Sequence, residues 1–252
     1  MGDYPEHRLI IRPYREPDWR AVYGICVRTA DAGGDVSGRY FNDDLVPDVF
    51  AGPYLELEPD LALVLDNGDQ PVGYVLGTAD TTLFVRSFRE KWLPGVAARY
   101  PAPNSPALTE DDRMIGLLLR PERMLWSGLS DYPAHLHIDI LPDYQGAGSG
   151  RRLIEAFCEA VTRQGAIGVH VCVGASNVRA QGFYRRVGFM QLEAPNQAHV
   201  YMGMQLLPGA VQRSRNRAAT GTGISSVAFG LQQVGPLPPE ALAHGGPVGG
   251  PG

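Results

Sequence analysis

The chain has 252 residues, a formal net charge of −5 and a hydrophobic content of 44%. These values are typical of a globular protein with a substantial core, and the acidic balance argues against a sequence-independent nucleic-acid binder, which needs a basic face. No run of about 18 apolar residues occurs, and residues 1–12 lack the apolar stretch of a signal peptide. We therefore expect a soluble, cytoplasmic protein with no nucleic-acid or membrane partner.

The three cysteines are odd in number, and none forms a Cys-x-x-Cys spacing. We expect Cys26, Cys158 and Cys172 to be reduced and buried, because a disulfide framework or a zinc site needs paired or regularly spaced thiols. No metal site is predicted.

The first third of the chain alternates short elements with turns. A strand is predicted at residues 8–12 and a helix at 19–30, after a Pro-Asp start signal. The Gly- and Asp-rich segment 31–53 is predicted to be a loop with at most one helical turn. Residues 61–65 and 72–76 flank the sequence Asp-Asn-Gly-Asp, which predicts a β-hairpin.

Residues 81–132 are predicted to form a helical insertion. Stretches 83–100 and 111–127 have helical apolar spacing, and a proline-rich link joins them. The elements predicted after the insertion are a strand at 135–141, a glycine turn at 145–150, a helix at 151–164, a strand at 169–173, a helix at 177–187 and a strand at 199–206. Residues 208–252 are rich in Gly and Pro and are predicted to be a tail, because they cannot bury enough apolar surface to offset chain entropy.

The glycine turn is a candidate phosphate site. Glycines let a ligand approach the main chain closely, and the free N–H groups and dipole at a helix start attract anions. A pyrophosphate fits this description. Arg151 stands where a dinucleotide-binding turn has its third glycine, so that class is disfavoured. A simple glycine-rich turn remains an alternative.

Two motifs resemble one known family. Gln145-x-x-Gly148-x-Gly150 is similar to the Q/R-x-x-G-x-G/A motif of the GCN5-related N-acetyltransferase (GNAT) superfamily. Residues 177–189 resemble the N-x-x-A-x-x-(L/F)-Y-x-x-x-G-F block of the same family. The strand sequence AHLHIDILP and the insertion resemble the acetyltransferase-like C-terminal domain of O-GlcNAcases and its bacterial relatives.

The resemblance implies an α+β fold with a mixed, mostly antiparallel central sheet. The sheet should be splayed at the strand before the glycine turn and flanked by helices, with residues 1–207 forming one acetyltransferase domain. It also implies acetyl-CoA as the donor and direct acetyl transfer to an amine of a small molecule or a lysine-bearing peptide. A homodimer is possible. A module that binds coenzyme or protein but has lost catalysis is the alternative.

The resemblance further implies roles for individual residues. Main-chain groups of the glycine turn should bind the pyrophosphate, the strand before it should pair with pantetheine, and an N–H near Ile140 or Leu141 should stabilise the oxyanion. Asn177 should bind the coenzyme arm, and Tyr184 should protonate the leaving thiolate. The implied coenzyme-binding residues are Ile138, Asp139, Ile140, Leu141, Gln145, Gly146, Ala147, Gly148, Ser149, Gly150, Arg151, Asn177, Ala180, Phe183 and Tyr184. The alternatives are a plain helix N-cap for Asn177 and a packed aromatic for Tyr184.

The general base is sought among polar residues of the central strands. His135, His137 and Asp139 alternate with apolar residues, so they share one face of their strand. We expect a substrate-side cluster with His137 or Asp139 as the base, and the alternative is a solvated or hydrogen-bonded face. His170, on the next strand, is the titratable group there with a near-neutral reference pKa.

Three further residues are predicted to fix the acceptor amine from loops. They are Asp35, Tyr40 and Asp80. Cys172 as an acyl-carrying nucleophile is disfavoured, because an apolar strand favours a packed thiol.

Overall fold

The computed structural model describes residues 9–104, 106–146, 148–194 and 198–206. In this part of the chain, the strands are β1 (Ile10–Pro13), β2 (Leu63–Asp66), β3 (Pro71–Thr78), β4 (Ala134–Ile140), β5 (Gly168–Gly174), β6 (Met190–Gln191) and β7 (His199–Gln205). The helices are α1 (Trp19–Thr29), α2 (Leu45–Phe50), α3 (Gly52–Leu57), α4 (Thr81–Ser87), α5 (Leu93–Val96), α6 (Glu110–Leu118), α7 (Ser149–Arg163) and α8 (Val178–Val187). The predicted tail at 208–252 and Ala147 of the glycine turn lie outside the described residues.

One sheet contains all seven of these strands, in the order β1-β2-β3-β4-β5-β7-β6. The pairings are antiparallel except for β4 with β5, which is parallel. That parallel pairing is limited to Ala134 with Val169 and His135 with His170, although each strand has 7 residues. The two strands therefore separate toward their carboxyl ends, which confirms the predicted splay and the mostly antiparallel sheet.

Helices cover both faces of the sheet and bury two apolar clusters. The cluster under α7 and α8 contains Leu136, Ile138 and Ile140 of β4. The cluster on the opposite face is built from α1 to α6 and includes Tyr74 of β3. Because side chains alternate along a strand, His135, His137 and Asp139 point toward this second set of helices, as predicted.

The hairpin of β2 and β3 forms as predicted. Asp66 Oδ1 accepts from the N–H of Gly68 at 2.6 Å, and Asn67 Oδ1 accepts from the N–H of Gln70 at 3.0 Å. Asp66 also accepts from Arg12 Nε of β1 at 2.8 Å. These bonds hold the first three strands in register, and the third of them, β3, pairs with β4, on which the site is built.

The prediction of a loop at residues 31–53 is wrong in its second half. Helices α2 and α3 occupy this region, and they bury Leu45, Val49 and Tyr54. The Gly and Asp residues that suggested a loop lie mainly at 31–44, before α2, and the two prolines lie at helix starts, where a missing N–H costs no hydrogen bond. Pro47 falls in the first turn of α2 and Pro53 in the first turn of α3.

The inserted region 81–132 is helical in its first part. Residues from α4 through α5 and the following turn form one helical run, with a π-type turn at Phe88–Trp92 in which the N–H of Leu93 bonds to the carbonyl of Phe88. The predicted second helix is shorter than expected. It ends at Leu118 and gives way to short 3-10 turns at Pro121–Met124 and Ser127–Leu129, because Pro121 lacks the N–H that would continue an α-helix.

Among the residues that the structure describes, no helix is long and apolar enough to cross a membrane. The same residues contain no group of three or more His, Cys, Asp or Glu side chains placed to hold a metal ion.

Candidate active site

The gap between β4 and β5 is the centre of the candidate site. The N–H of Leu141 donates to the carbonyl of Val72 on β3 at 2.9 Å. Since successive N–H groups of a strand point to opposite sides, those of Ile138 and Ile140 point away from β3 and into the gap. This corrects two predictions. The N–H of Leu141 is committed to the sheet, and the main chain of Asp139 pairs with β3.

The glycine turn lies at the open end of this gap. Gly146 has φ 91° and Gly148 has φ 78°, both in the left-handed region that favours glycine. The N–H of Ser149 donates to the carbonyl of Gly146 at 3.1 Å. The N–H groups of Gly150 and Arg151 lie in the first turn of α7, where no intrahelical acceptor exists. They form a ready site for an anionic group.

Gly148→Ala is expected to raise the Kd of coenzyme A by about tenfold or more and to cost about 1–2 kcal/mol of unfolding free energy. No atom lies within 4 Å of a Cβ placed on Gly148, so the methyl group would occupy the space that a phosphate needs. Calorimetry and thermal unfolding measure the two effects.

Gly165→Ala is the matched control. Gly165 has φ +91° and equally open surroundings, but it follows the other end of α7. It should lose similar stability with no change in coenzyme affinity. A weaker affinity in both variants would contradict the assignment of the turn as the phosphate site.

The long polar side chains of the turn are held by the protein. The Arg151 guanidinium donates to the carbonyl of Arg186 at 3.0 Å and lies 3.9 Å from Glu155. Gln145 Nε2 donates to the carbonyl of Ile140 at 2.7 Å. These two side chains brace the turn against α8 and β4, so the main chain is the part of the turn that faces a ligand.

Asn177 combines a structural role with a free donor. Its Oδ1 accepts from the N–H of Ala180 at 3.0 Å, which makes Asn177 the N-cap of α8. Its Nδ2 is buried and has no hydrogen-bond partner among the described residues. A buried unsatisfied donor costs about 1–3 kcal/mol, so an acceptor on a bound ligand would be strongly favoured there.

Asn177→Asp is expected to weaken coenzyme binding by about tenfold while changing the unfolding free energy by less than about 0.5 kcal/mol. Aspartate keeps the cap oxygen but replaces the free donor with a second acceptor. Calorimetry and chemical unfolding test this separation. Unchanged affinity would mean that Asn177 is a cap and nothing more.

Tyr184 is buried in the core beside the gap. Its ring lies 5.5 Å from that of Phe183 and 5.3 Å from that of Phe189, between centroids. Burial raises the pKa of Tyr184, and the charge of Asp139 raises it further. The phenol therefore remains protonated and can donate a proton across the neutral pH range.

A hydrogen-bonded cluster lies on the face of β4 that carries His135, His137 and Asp139. Tyr54 Oη lies 2.7 Å from Nε2 of His135 and 3.1 Å from Nε2 of His137. Thr81 Oγ1 lies 2.8 Å from Nδ1 of His135. Tyr54 was not predicted from the sequence. Its signal is the apolar spacing of residues 45–55, and Gly52 and Pro53 interrupt that spacing.

Burial keeps the histidines of this cluster neutral. It lowers the pKa of His135 well below 6.5, and together with the charge of Arg123 it lowers the pKa of His137 to about 3. Burial also lowers the pKa of His170 to about 4, against the opposing effect of a bond from Nδ1 to the carbonyl of Tyr132 at 2.7 Å. His137 is thus a weak proton acceptor.

Asp139 has the opposite character. The residue is 2% exposed, and Oδ2 accepts from the hydroxyl of Tyr74 at 2.6 Å. Oδ1 is buried without a partner, because the neighbouring hydroxyl of Thr29 donates to the carbonyl of Ile25 at 2.7 Å. Burial raises the pKa of Asp139 well above 3.8. A carboxylate in this state is a stronger base than an exposed one.

The three loop residues predicted to bind the amine lie elsewhere. Asp35 is exposed and accepts from the hydroxyl of Ser37 at 2.6 Å, and Asp80 caps α4 by accepting from the N–H of Thr82 at 2.8 Å. Tyr40 packs against the cluster under α1 to α6. None of them bonds to β4, α7 or α8 within the described ranges, so they are left out of the site.

The cysteine prediction is wrong for one thiol. Cys26 and Cys158 are buried, whereas Cys172, on β5, is exposed. Neighbouring groups still desolvate the sulfur and raise the pKa of Cys172 to about 11. The thiol is therefore protonated at neutral pH, which argues against an acyl-enzyme intermediate.

Residues 34–189 match the family described as Acetyltransferase (GNAT) family. Two curated relatives, the proteins O-GlcNAcase of Rattus norvegicus and Mus musculus, are 26% and 27% identical over 184 and 186 residues. These matches cover 72% of this chain but 20% of each relative, so the chain spans about a fifth of their length. The crystal structure of SsHAT is 49% identical, covers 79% of this chain and 99% of its own, and has a TM-score of 0.76.

These similarities confirm the resemblance inferred from the two motifs and the insertion. The similarities also confirm the fold, the class of enzyme and acetyl-CoA as the donor. The chain belongs to the acetyltransferase (GNAT) family.

Proposed function

We propose that the protein transfers the acetyl group of acetyl-CoA directly to a primary amine, on a small molecule or a lysine side chain. The observation that carries this proposal is that two buried proton-transfer groups lie at β4. Asp139 is on the strand itself and has an Oδ1 without a partner among the described residues, and Tyr184 of α8 lies in the apolar cluster that contains Ile138 and Ile140. Burial raises the pKa of both groups. Transfer from a thioester to an ammonium needs one group that takes a proton and one that gives a proton.

The gap suits the extended arm of the coenzyme. The N–H groups of Ile138 and Ile140 point into it, and the first turn of α7 closes its end with free N–H groups. The buried Nδ2 of Asn177 adds one more donor without a partner. Bound there, acetyl-CoA would supply an activated thioester, whose C–S bond breaks when the adduct with the amine collapses. The strand N–H groups would donate to the oxyanion of the tetrahedral intermediate.

Two side chains account for the protons. Asp139 accepts the proton of the incoming ammonium at Oδ1, which has no hydrogen-bond partner among the residues that the structure describes. Tyr184 donates its phenolic proton to the leaving thiolate, and the second proton that the nitrogen loses as the intermediate collapses restores the phenol. His137 is the weaker base, because burial and the charge of Arg123 lower its pKa to about 3. Holding amine and thioester in line supplies much of the remaining rate.

The test has two stages. Calorimetry with acetyl-CoA measures donor binding, and thiol release is then followed with a panel of amines and lysine peptides. We expect donor binding at micromolar concentration and faster thiol release with at least one amine. Absence of binding at high micromolar donor would overturn the proposal.

The alternative is a coenzyme-binding module without catalysis. The similarity to part of O-GlcNAcase raises it, since those relatives are named for a different activity. Donor binding without accelerated thiol release in the panel would favour this alternative. A cytoplasmic location and a homodimer stay predictions.

A further inference from the structure

Arg123 occupies an unusual position on the acceptor side of the gap. It lies on the 3-10 turn Pro121–Met124 of the inserted region, whose Met124 Sδ is 3.9 Å from the hydroxyl of Tyr54. Its guanidinium carbon lies 5.5 Å from the ring centroid of Phe50, and that ring lies 6.0 Å from the ring of His137. The arginine is therefore next to the cluster that faces the incoming acceptor.

The guanidinium is oriented but carries no counter-ion. Its Nε donates to the carbonyl of Leu117 at 3.3 Å, and its guanidinium carbon lies over the ring of Phe50. In the described part of the chain, no carboxylate lies within 4.0 Å of it. Neither terminal nitrogen has a hydrogen-bond partner there. Burial lowers its pKa, so the charge is held at a cost that an anion would repay.

Among the described residues, the groups that influence Arg123 electrostatically carry no negative charge that would compensate its guanidinium. The groups that exchange electrostatic influence with Arg123 are Tyr54, Cys172, Tyr201, His135 and His137. All are neutral at pH 7, because burial raises the pKa values of the phenols and the thiol and lowers those of the imidazoles. A guanidinium fork with both terminal nitrogens free is suited to a carboxylate, which it binds in a bidentate manner.

We propose that Arg123 binds a carboxylate of the acceptor, so that the preferred substrates are amino-carboxylates rather than simple or polycationic amines. The proposal rests on the proposed function, because it assigns the acceptor class of the same site. In it the ammonium end approaches Asp139 on β4 and the carboxylate end approaches Arg123. The phosphates of the coenzyme are not candidates for this arginine, since their site at α7 lies beyond the carboxyl end of β4.

The test uses acceptors matched in all but charge. The kcat/KM for 6-aminohexanoate is compared with that for its neutral amide, 6-aminohexanamide, together with a series of shorter ω-amino acids and their amides. For one chain length, the wild-type protein should prefer the carboxylate by about 10–100-fold. In Arg123→Met, which keeps a long apolar stem against Phe50, the preference should vanish, and Arg123→Lys should be intermediate. Arg86→Met is the control, since Arg86 of α4 forms an exposed pair with Glu90 of the following π-type turn.

A second measurement does not depend on turnover. The protein saturated with coenzyme A is titrated calorimetrically with 6-aminohexanoate, for the wild type, Arg123→Met and Arg86→Met. Binding by all but Arg123→Met supports the proposal. A wild type that prefers the amides, an Arg123→Met that loses both substrates equally, or carboxylate binding unaffected by that substitution would overturn it. Thiol release only with amines that lack a carboxylate would support the proposed function and would contradict only the proposed acceptor class.

Discussion

Tyr184→Phe is expected to lower kcat by about 10²–10⁴ while the Kd of coenzyme A changes by less than about threefold. Phenylalanine keeps the ring contacts with Phe183 and Phe189 but lacks the proton that the leaving thiolate requires. Steady-state thiol release gives kcat, and calorimetry gives the Kd. Because burial raises the pKa of Tyr184 above 10.0, the wild-type kcat profile should show no descending limb from this group below that pH.

Tyr100→Phe is the matched control for this substitution. Tyr100 donates to the buried carboxylate of Asp48, a network that ties the inserted region to α2. Its loss should lower the thermal midpoint and leave kcat unchanged. If Tyr184→Phe instead weakened coenzyme binding as much as it lowered kcat, Tyr184 would be a packing residue.

Asp139→Asn is expected to lower kcat by about 10²–10⁴ with no loss of thermal stability at pH 8. The amide can still accept from Tyr74, but it cannot take a proton from the ammonium. In the folded protein, burial raises the pKa of Asp139 above the value of 3.8 that it has in the unfolded chain. At pH values between the unfolded and the folded pKa, the unfolded state therefore binds fewer protons than the folded state. Wild-type stability therefore falls as pH rises through that range, and removing the group removes this loss.

Thermal unfolding from pH 5 to pH 9 and the pH profile of kcat/KM test both parts of this prediction. The ascending limb of the profile should disappear in Asp139→Asn. Asp48→Asn is the control, since Asp48 is also buried but has donors from Tyr23, Tyr100 and Arg99. It should lose stability and retain activity. A large drop in the midpoint of Asp139→Asn would show that its carboxylate serves the fold.

Local patterns were sufficient for the elements whose signals lie close together in the chain. The hairpin turn at Asn67 and Gly68, the glycine turn before α7 and the N-cap at Asn177 each depend on residues within a few positions of one another. Steric and hydrogen-bonding preferences decide such turns locally, so they could be predicted. The shared face of His135, His137 and Asp139 follows in the same way from the two-residue period of a strand.

Segments with mixed signals could not be predicted, because burial decided them. Helices α2 and α3 form in a stretch whose Gly and Asp content predicts a loop, since packing against α1 and β3 buries their apolar side chains. The second inserted helix, α6, ends early at Leu118. Pro121 and contacts with other elements determine the path of the chain after it. Cys172 is exposed for a similar reason, because which face of β5 is covered depends on distant helices.

The sequence by itself determined the family and the donor, through two motifs that we propose bind the donor, because these motifs depend on main-chain turns and a helix cap that neighbouring residues specify. Only the tertiary structure distinguishes His137 from Asp139 as candidate bases. The two residues are equivalent in a strand pattern, but burial and Arg123 acidify the first, whereas burial with one unpaired oxygen makes the second more basic. The same is true of Tyr54 and Arg123. Tyr54 lies far from β4 in sequence and Arg123 lies on a turn shortly before it, and folding brings both to the face of β4 that carries His135 and His137.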